Sequence, residues 1–409
     1  MVNDTKKDCK MAIAKCKLQI GLSAAAVPEW KSGAACPSPP APLPLRGRGE
    51  VSFSTRILQS TCVLTFAICN LQLPFCNPVL AQDSARSLTA APLTEAKVVE
   101  RVTVALDRSL KYLSDKQQPD GSWHTNQAVN GLALLSFMGR GHVPGRGPYA
   151  DKLDAGKKFI LRKQTDAGIF ASPTPSHGPM YEHALATLAM VEMYGADPDP
   201  MLEEKLRKAV DLIMKAQSPS GGWRYAATPG DQDLSVTVMQ IVALRAANNA
   251  EIPVPQTVID KAIAYVKSCA VPTGGFGYQG SGGMSPQVSA AGAISLQLLG
   301  KYDDPSIPKT LEYLNKIPVQ WNSSGPSYFY YFHYYAIQAQ YQAGGKSWND
   351  WHPRVRELLL EKQNSDGSWD VPPGTAENAG VVGPNKAYWT AMASLILEIY
   401  MHFLPAYQR

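Results

Sequence analysis

The chain has 409 residues, 45% of them hydrophobic and 9% aromatic, which is ample for a buried core. Its formal net charge is +5, yet residues 1–50 hold 8 Lys/Arg against 4 Asp/Glu and Arg56 adds another, leaving 30 of each sign in the remainder. A balanced body gives no basic footprint for nucleic acid or an anionic membrane surface, so those partners are disfavoured at the outset.

Residues 1–50 read as an unstructured prefix ahead of a later start, with the Pro-rich, aperiodic stretch Cys36 to Glu50 and a candidate start at Val51. Residues 51–81 read as a secretory signal. A basic residue, Arg56, precedes an apolar stretch from Ile57 to Phe75, and Val79-Leu80-Ala81 offers small residues for cleavage. The expected location is therefore outside the cytoplasm, periplasmic or secreted, with no integral span once the signal is removed. Residues 82–93 read as a linker. Six of the seven cysteines lie before residue 82, so the folded part, with Cys269 alone, can build neither a disulfide framework nor a Cys-rich zinc site. No metal or cofactor is expected.

From residue 94 to 409 a Gly followed by an aromatic recurs after a helix end. The copies surround Gly121 (QQPDGSW), Gly168 (KQTDAGIF), Gly222 (AQSPSGGW), Gly275 (CAVPTGGF) and Gly367 (KQNSDGSW), with a degraded copy at Gly325 (NSSGPSY). The spacing is that of one helix hairpin with two loops, and six units result. The helix before each motif is amphipathic: Leu202, Leu206, Val210 and Ile213 oppose Glu203, Glu204, Arg207, Lys208, Asp211 and Lys215. A narrow apolar stripe belongs on the outside of an assembly. The helix after each motif, as in Tyr181 to Val191 or Val236 to Ala247, is apolar nearly all round and belongs to an inner layer. The first and last copies carry the same Asp-Gly-Ser-Trp, without the divergent caps an open solenoid needs. The expected fold is an all-α α/α toroid of six helix-hairpin repeats, an (α/α)6 barrel, with the motif aromatics in structural roles.

These Gln-to-Gly-x-Trp units resemble the QW repeats of squalene and oxidosqualene cyclases and the wider prenyltransferase and squalene-oxidase repeat family. The resemblance covers about residues 94 to 405. It implies a cavity at the N-terminal ends of the inner helices, bordered by Tyr181, Glu182 and His183; Asp231, Asp233 and Ser235; Ser285 and Gln287; Tyr328, Tyr330, Tyr331, His333 and Tyr334; and Lys386, Tyr388 and Trp389. Asp231-Gln232-Asp233-Leu234-Ser235-Val236 is similar to the Asp-x-Asp-Asp-Thr-Ala motif of squalene-hopene cyclases, with Leu234 in place of the last Asp. In that comparison Asp233 is the catalytic acid that protonates an alkene and Asp231 stands beside it. The residues by themselves also allow both acids to be helix caps. The aromatic run Tyr328 to Tyr335 suits carbocations, an apolar ligand or plain packing. His183 and His333 are expected to be hydrogen-bonded structural residues. Two-domain cyclases hold their active site between domains, for which this chain has room for one toroid only.

Three readings follow: a terpene-cyclase-like isomerase acting on a polyprenyl or triterpenoid chain; a non-catalytic toroid binding an apolar isoprenoid-like ligand or a protein partner; and, less favoured, an (α/α)6 glycosidase using Glu182 and Asp233 as facing carboxylates. A zinc prenyltransferase is disfavoured, because no Asp-x-Cys precedes an inner helix.

Overall fold

A computed structural model describes residues 95–175, 177–379, 384–399 and 404–407. The prefix, signal and linker assigned from sequence lie outside these residues. The described part is helical, with twelve α-helices that alternate between outer and inner positions. The outer helices are α1 (Glu95–Lys116), α3 (Ala150–Arg162), α5 (Pro200–Lys215), α7 (Gln256–Ser268), α9 (Ser306–Asn315) and α11 (Gly345–Lys362). The inner helices are α2 (Gln127–Gly139), α4 (Met180–Ala196), α6 (Leu234–Asn249), α8 (Pro286–Leu298), α10 (Phe329–Ala343) and α12 (Lys386–Glu398).

Local chemistry sets each type. In α5, Asp199 caps the first turn through Met201 N at 2.9 Å and Pro200 occupies the first position. Its apolar stripe of Leu202, Leu206, Ala209, Val210 and Ile213 is buried, while Glu203–Arg207, Glu204–Lys208 and Asp211–Lys215 pair along the solvent face. In α6 nearly every residue from Leu234 to Ala247 is buried, so this helix has no solvent face to pattern. Each inner helix packs on the next in the order α2, α4, α6, α8, α10, α12, and α12 packs back on α2. The ring is closed. Ser136 Oγ in α2 donates to Ala391 O in α12, and Ser394 Oγ in α12 donates to Ser109 Oγ in α1.

The repeated motif is the fastener between units. Gln117, Gln164, Gln217 and Gln363 each donate through Nε2 to the carbonyl of their own motif glycine and to a carbonyl on the outer helix of the next repeat, respectively Lys152, Lys205, Val258 and Ala105. The motif glycine takes a left-handed φ and lies against that same helix. A Cβ on Gly221 would sit 2.1 Å from Lys261 O, and one on Gly367 would sit 2.3 Å from Arg108 O. This corrects the sequence register by one position in two repeats: the fastening glycines are Gly221 and Gly274, two residues before the aromatic, rather than Gly222 and Gly275. Gly325 of the degraded copy has no left-handed φ.

The motif tryptophans are structural, as expected. Trp123, Trp223 and Trp369 donate their indole N–H to Leu113, Ile213 and Leu359 on the outer helix just before each. The backbone N–H of each motif aromatic is met by a side chain from the following inner helix: Asn130, His183, Thr237, Ser289 and Thr390. His183 therefore accepts through Nδ1 from Phe170 N and donates through Nε2 to Ala209 O, the structural role expected of it. His333 departs from expectation: in the degraded repeat it is buried among Phe329, Phe332 and Trp351 with neither ring nitrogen hydrogen-bonded. Burial pushes both imidazoles down, His183 to about 4 and His333 to about 3, so both are neutral at physiological pH.

Candidate functional site

A cavity of about 440 Å³ opens at the N-terminal ends of the inner helices, and all six contribute to it. Asn126 and Ala128 come from the start of α2, Tyr181 and Leu185 from α4, Ser235 and Met239 from α6. Ser285, Gln287 and Val288 come from the N-cap and first turn of α8, Ser327, Tyr328 and Tyr331 from the entry and first turn of α10, and Tyr388 from α12. The loops between hairpins add His177, Tyr225, Tyr278 and Glu377. The lining is apolar in body and phenolic at its edges, with six tyrosines and a single carboxylate. Its volume falls in the range of about 300–1,000 Å³ usual for small-molecule sites.

The polar groups are ordered among themselves. Tyr181 Oη lies 2.7 Å from Ser235 Oγ, which donates to Asp233 Oδ1 at 2.6 Å. Tyr331 Oη donates to the Ser235 carbonyl at 3.3 Å, and the hydroxyls of Tyr225 and Tyr278 pair at 2.9 Å. Burial raises the phenols of Tyr181, Tyr278, Tyr331 and Tyr388, so they remain neutral and act only through their hydroxyls. Glu377 accepts from Tyr330 N at 2.9 Å and Tyr331 N at 3.0 Å, capping α10 from the segment before α12. Burial drives its carboxyl up to about 7 against the pull of those amides.

Seven of the residues expected at the cavity line it: Tyr181, Ser235, Ser285, Gln287, Tyr328, Tyr331 and Tyr388. The others are placed elsewhere. Glu182 is buried as a tie between repeats, accepting from Gln127 N at the head of α2 and from Ser172 N and Oγ. His183, His333, Tyr334 and Trp389 are buried in helix packing, and Tyr330 donates to Asp370 O at 2.6 Å. Lys386 pairs with Asp370 at 2.8 Å.

The two aspartates also part company. Asp231 is exposed and bonds Arg224 at 2.5 Å; the backbone N–H of Gln232, with Arg224 and Gln279, holds its carboxyl below the usual range. It is a carboxylate at the surface, not an acid beside the cavity. Asp233 is fully buried as the N-cap of α6, accepting from Val236 N at 2.9 Å, with its second oxygen 3.9 Å from Arg224 Nε. It is not among the residues that line the cavity.

Sequence reasoning missed Tyr225, Tyr278 and Glu377. The two tyrosines had a signal: each stands two residues after its motif aromatic, Trp223 and Phe276. Glu377 had none, lying in a short 3₁₀ turn, Ala376–Ala379, outside the repeat pattern. Among the described residues no three His, Cys, Asp or Glu side chains gather as a metal site, and no helix is long and apolar enough to cross a membrane.

The prenyltransferase alpha-alpha toroid domain model matches residues 107–325, just over half of the chain. The chain belongs to that family. Its toroid is similar over part of its length to lanosterol synthase erg7A of Aspergillus fumigatus, 29% identical over 146 residues that make up 32% of this chain and 18% of that protein. The chain thus spans less than a fifth of the length of that relative. Among solved structures, the type II terpene cyclase MstE from Scytonema, in complex with its substrate geranylgeranyl dihydroxybenzoate, superposes with a TM-score of 0.53 at 13% identity, over 76% of this chain and 100% of that one. Cellobiose 2-epimerase from Bacillus thermoamylovorans gives 0.56 at 11% identity, over 75% and 99%, and a glycosidase in complex with glucose gives 0.53 at 14%, over 77% and 100%. At these identities the toroid family shares a fold with cyclases and sugar enzymes alike, and the site must decide between them.

Proposed function

We propose that this toroid binds an apolar, isoprenoid-like small molecule in the cavity at the N-terminal ends of its inner helices. The carrying observation is the lining: aliphatic and tyrosine side chains from all six repeats, with Asp233 buried behind them. Alkene protonation needs a strong acid in contact with the ligand. Glu377, the one acid on the lining, spends its carboxylate on the amides of Tyr330 and Tyr331 at the head of α10, and the phenols are far weaker acids. Hydrolysis of a glycoside needs two facing carboxylates about 5–10 Å apart, and Glu377 has no such partner among the lining residues.

The experiment is to incubate the purified protein with squalene and geranylgeraniol, measuring binding by calorimetry and products by mass spectrometry. Saturable binding with the ligand recovered unchanged is the expected result; a cyclised product would overturn it in favour of an isomerase.

The cyclase reading has one observation in its favour, the hydrogen-bonded chain from Asp233 through Ser235 to Tyr181 on the cavity wall. Its terminal group is a raised phenol, which cannot deliver a proton to a hydrocarbon. We further propose export through the leader that ends near Ala81, which amino-terminal sequencing of the mature protein tests by a start at Gln82.

A further inference from the structure

The hydroxyl hydrogens of Ser235, Tyr181 and Tyr331, which meet where α4, α6 and α10 border the cavity, are already committed. Asp233 Oδ1 accepts from Val236 N and from Ser235 Oγ. A serine hydroxyl has one hydrogen, and here it goes to Asp233. The 2.7 Å contact between Ser235 Oγ and Tyr181 Oη is therefore donated by Tyr181. Tyr331 gives its own hydrogen to the Ser235 carbonyl. Both phenols border the cavity with lone pairs to offer and no hydrogen.

We propose that Asp233 is a positioning residue that fixes this polarity, so that the polar end of the bound ligand is a hydrogen-bond donor, an alcohol hydroxyl seated against Tyr181 and Tyr331. This deepens the reading of the cavity as an isoprenoid site and rests on it. An alcohol supplies the hydrogen that the wall lacks. A methyl ether of the same alcohol sets an oxygen against oxygens, and a hydrocarbon leaves the free lone pairs of both phenols facing apolar surface. The buried aspartate thus chooses the ligand's functional group without touching it.

The test is calorimetric titration of the whole protein with geranylgeraniol, its methyl ether and the corresponding hydrocarbon. The alcohol is expected to bind about tenfold more tightly than the ether, the scale of one unmade hydrogen bond. In Ser235→Ala the hydrogen of Tyr181 is released into the cavity, and the alcohol-to-ether ratio is expected to fall to within about threefold while binding of the apolar body persists. Asp233→Ala is expected to lower the ratio in the same way, and Asp233→Asn, whose amide oxygen still accepts from Ser235, to restore it. Equal affinity for alcohol and ether in the unaltered protein, or an unchanged ratio in Ser235→Ala, would overturn the inference and leave the isoprenoid site standing. Failure of all three compounds to bind would overturn the isoprenoid site, and this inference with it.

Discussion

Gln363 Nε2 donates a 2.8 Å hydrogen bond to the carbonyl oxygen of Ala105, joining residues 258 positions apart and locking the sixth repeat to the first. The same side chain holds Gly367 O at 3.0 Å, so its loss removes two hydrogen bonds at the seam. Gln363→Ala is expected to destabilise the protein by about 1–3 kcal/mol in urea unfolding. Gln118→Ala, which removes an exposed and purely local contact, is expected to stay within about 0.5 kcal/mol.

The motif glycine carries two separable penalties for a side chain, a left-handed φ and a blocked Cβ position. Gly300 (φ 77°) has the first without the second, since nothing lies within 4 Å of its Cβ position. Gly300→Ala is expected to cost about 1–2 kcal/mol. Gly367→Ala must also displace the backbone of α1 at Arg108, and is expected to cost at least about 1 kcal/mol more. Thermal unfolding of the two variants side by side checks the ranking.

Glu192 near the end of α4 is buried and accepts from Ala406 N at 3.0 Å, which docks the 3₁₀ turn Pro405–Tyr407 on the ring. Burial drives its carboxyl up from 4.5 to about 7. The folded protein therefore holds this proton more tightly than the unfolded chain does, and stability falls as pH rises from about 4.5 through 7. Glu192→Gln keeps an acceptor for Ala406 and removes the titration. It is expected to gain stability over the unaltered protein at pH 8, with the gain shrinking toward pH 5. Denaturation at the two pH values reads the difference.

Met239 lines the cavity from α6. Met239 is largely buried but borders the cavity, so Met239→Trp adds bulk that can extend into the open volume. It is expected to weaken geranylgeraniol binding about tenfold or more, with the melting temperature changed by only a few degrees. Loss of the fold instead would show that the cavity wall has no room to give.

The helical ring was legible because its signals are periodic. The apolar stripe of α5, the all-round apolar α6 and the recurring Gly-x-aromatic each repeat, and repetition needs no tertiary knowledge to be seen. Seven residues expected at a rim do line the cavity, while the orientation of the others was illegible in the sequence. Glu182 and Tyr181 are adjacent in sequence, yet a helix turns successive side chains about 100° apart, so one meets the cavity and the other meets the neighbouring repeat. Asp233 is the clearest case. An acid at a helix start serves the free amides of the first turn whether or not it also serves a ligand, and only coordinates show which way each oxygen faces. Glu377 answers to no period at all and was found only through its contact with α10.

The fifth repeat keeps its place in the circle although its glycine turn has decayed and His333 has lost the backbone partner that His183 retains. In a linear stack, a weak unit can be dropped and the array simply shortens. Here four outer helices are grasped by the motif glutamine of the unit before them, and the last of those loops must reach the first helix. Removing one hairpin would leave five wedges to span an angle set for six. Such an architecture tolerates erosion of any single member in place and forbids deletion. A damaged segment can therefore persist in the chain as a spacer, held by the sound joints elsewhere in the circle.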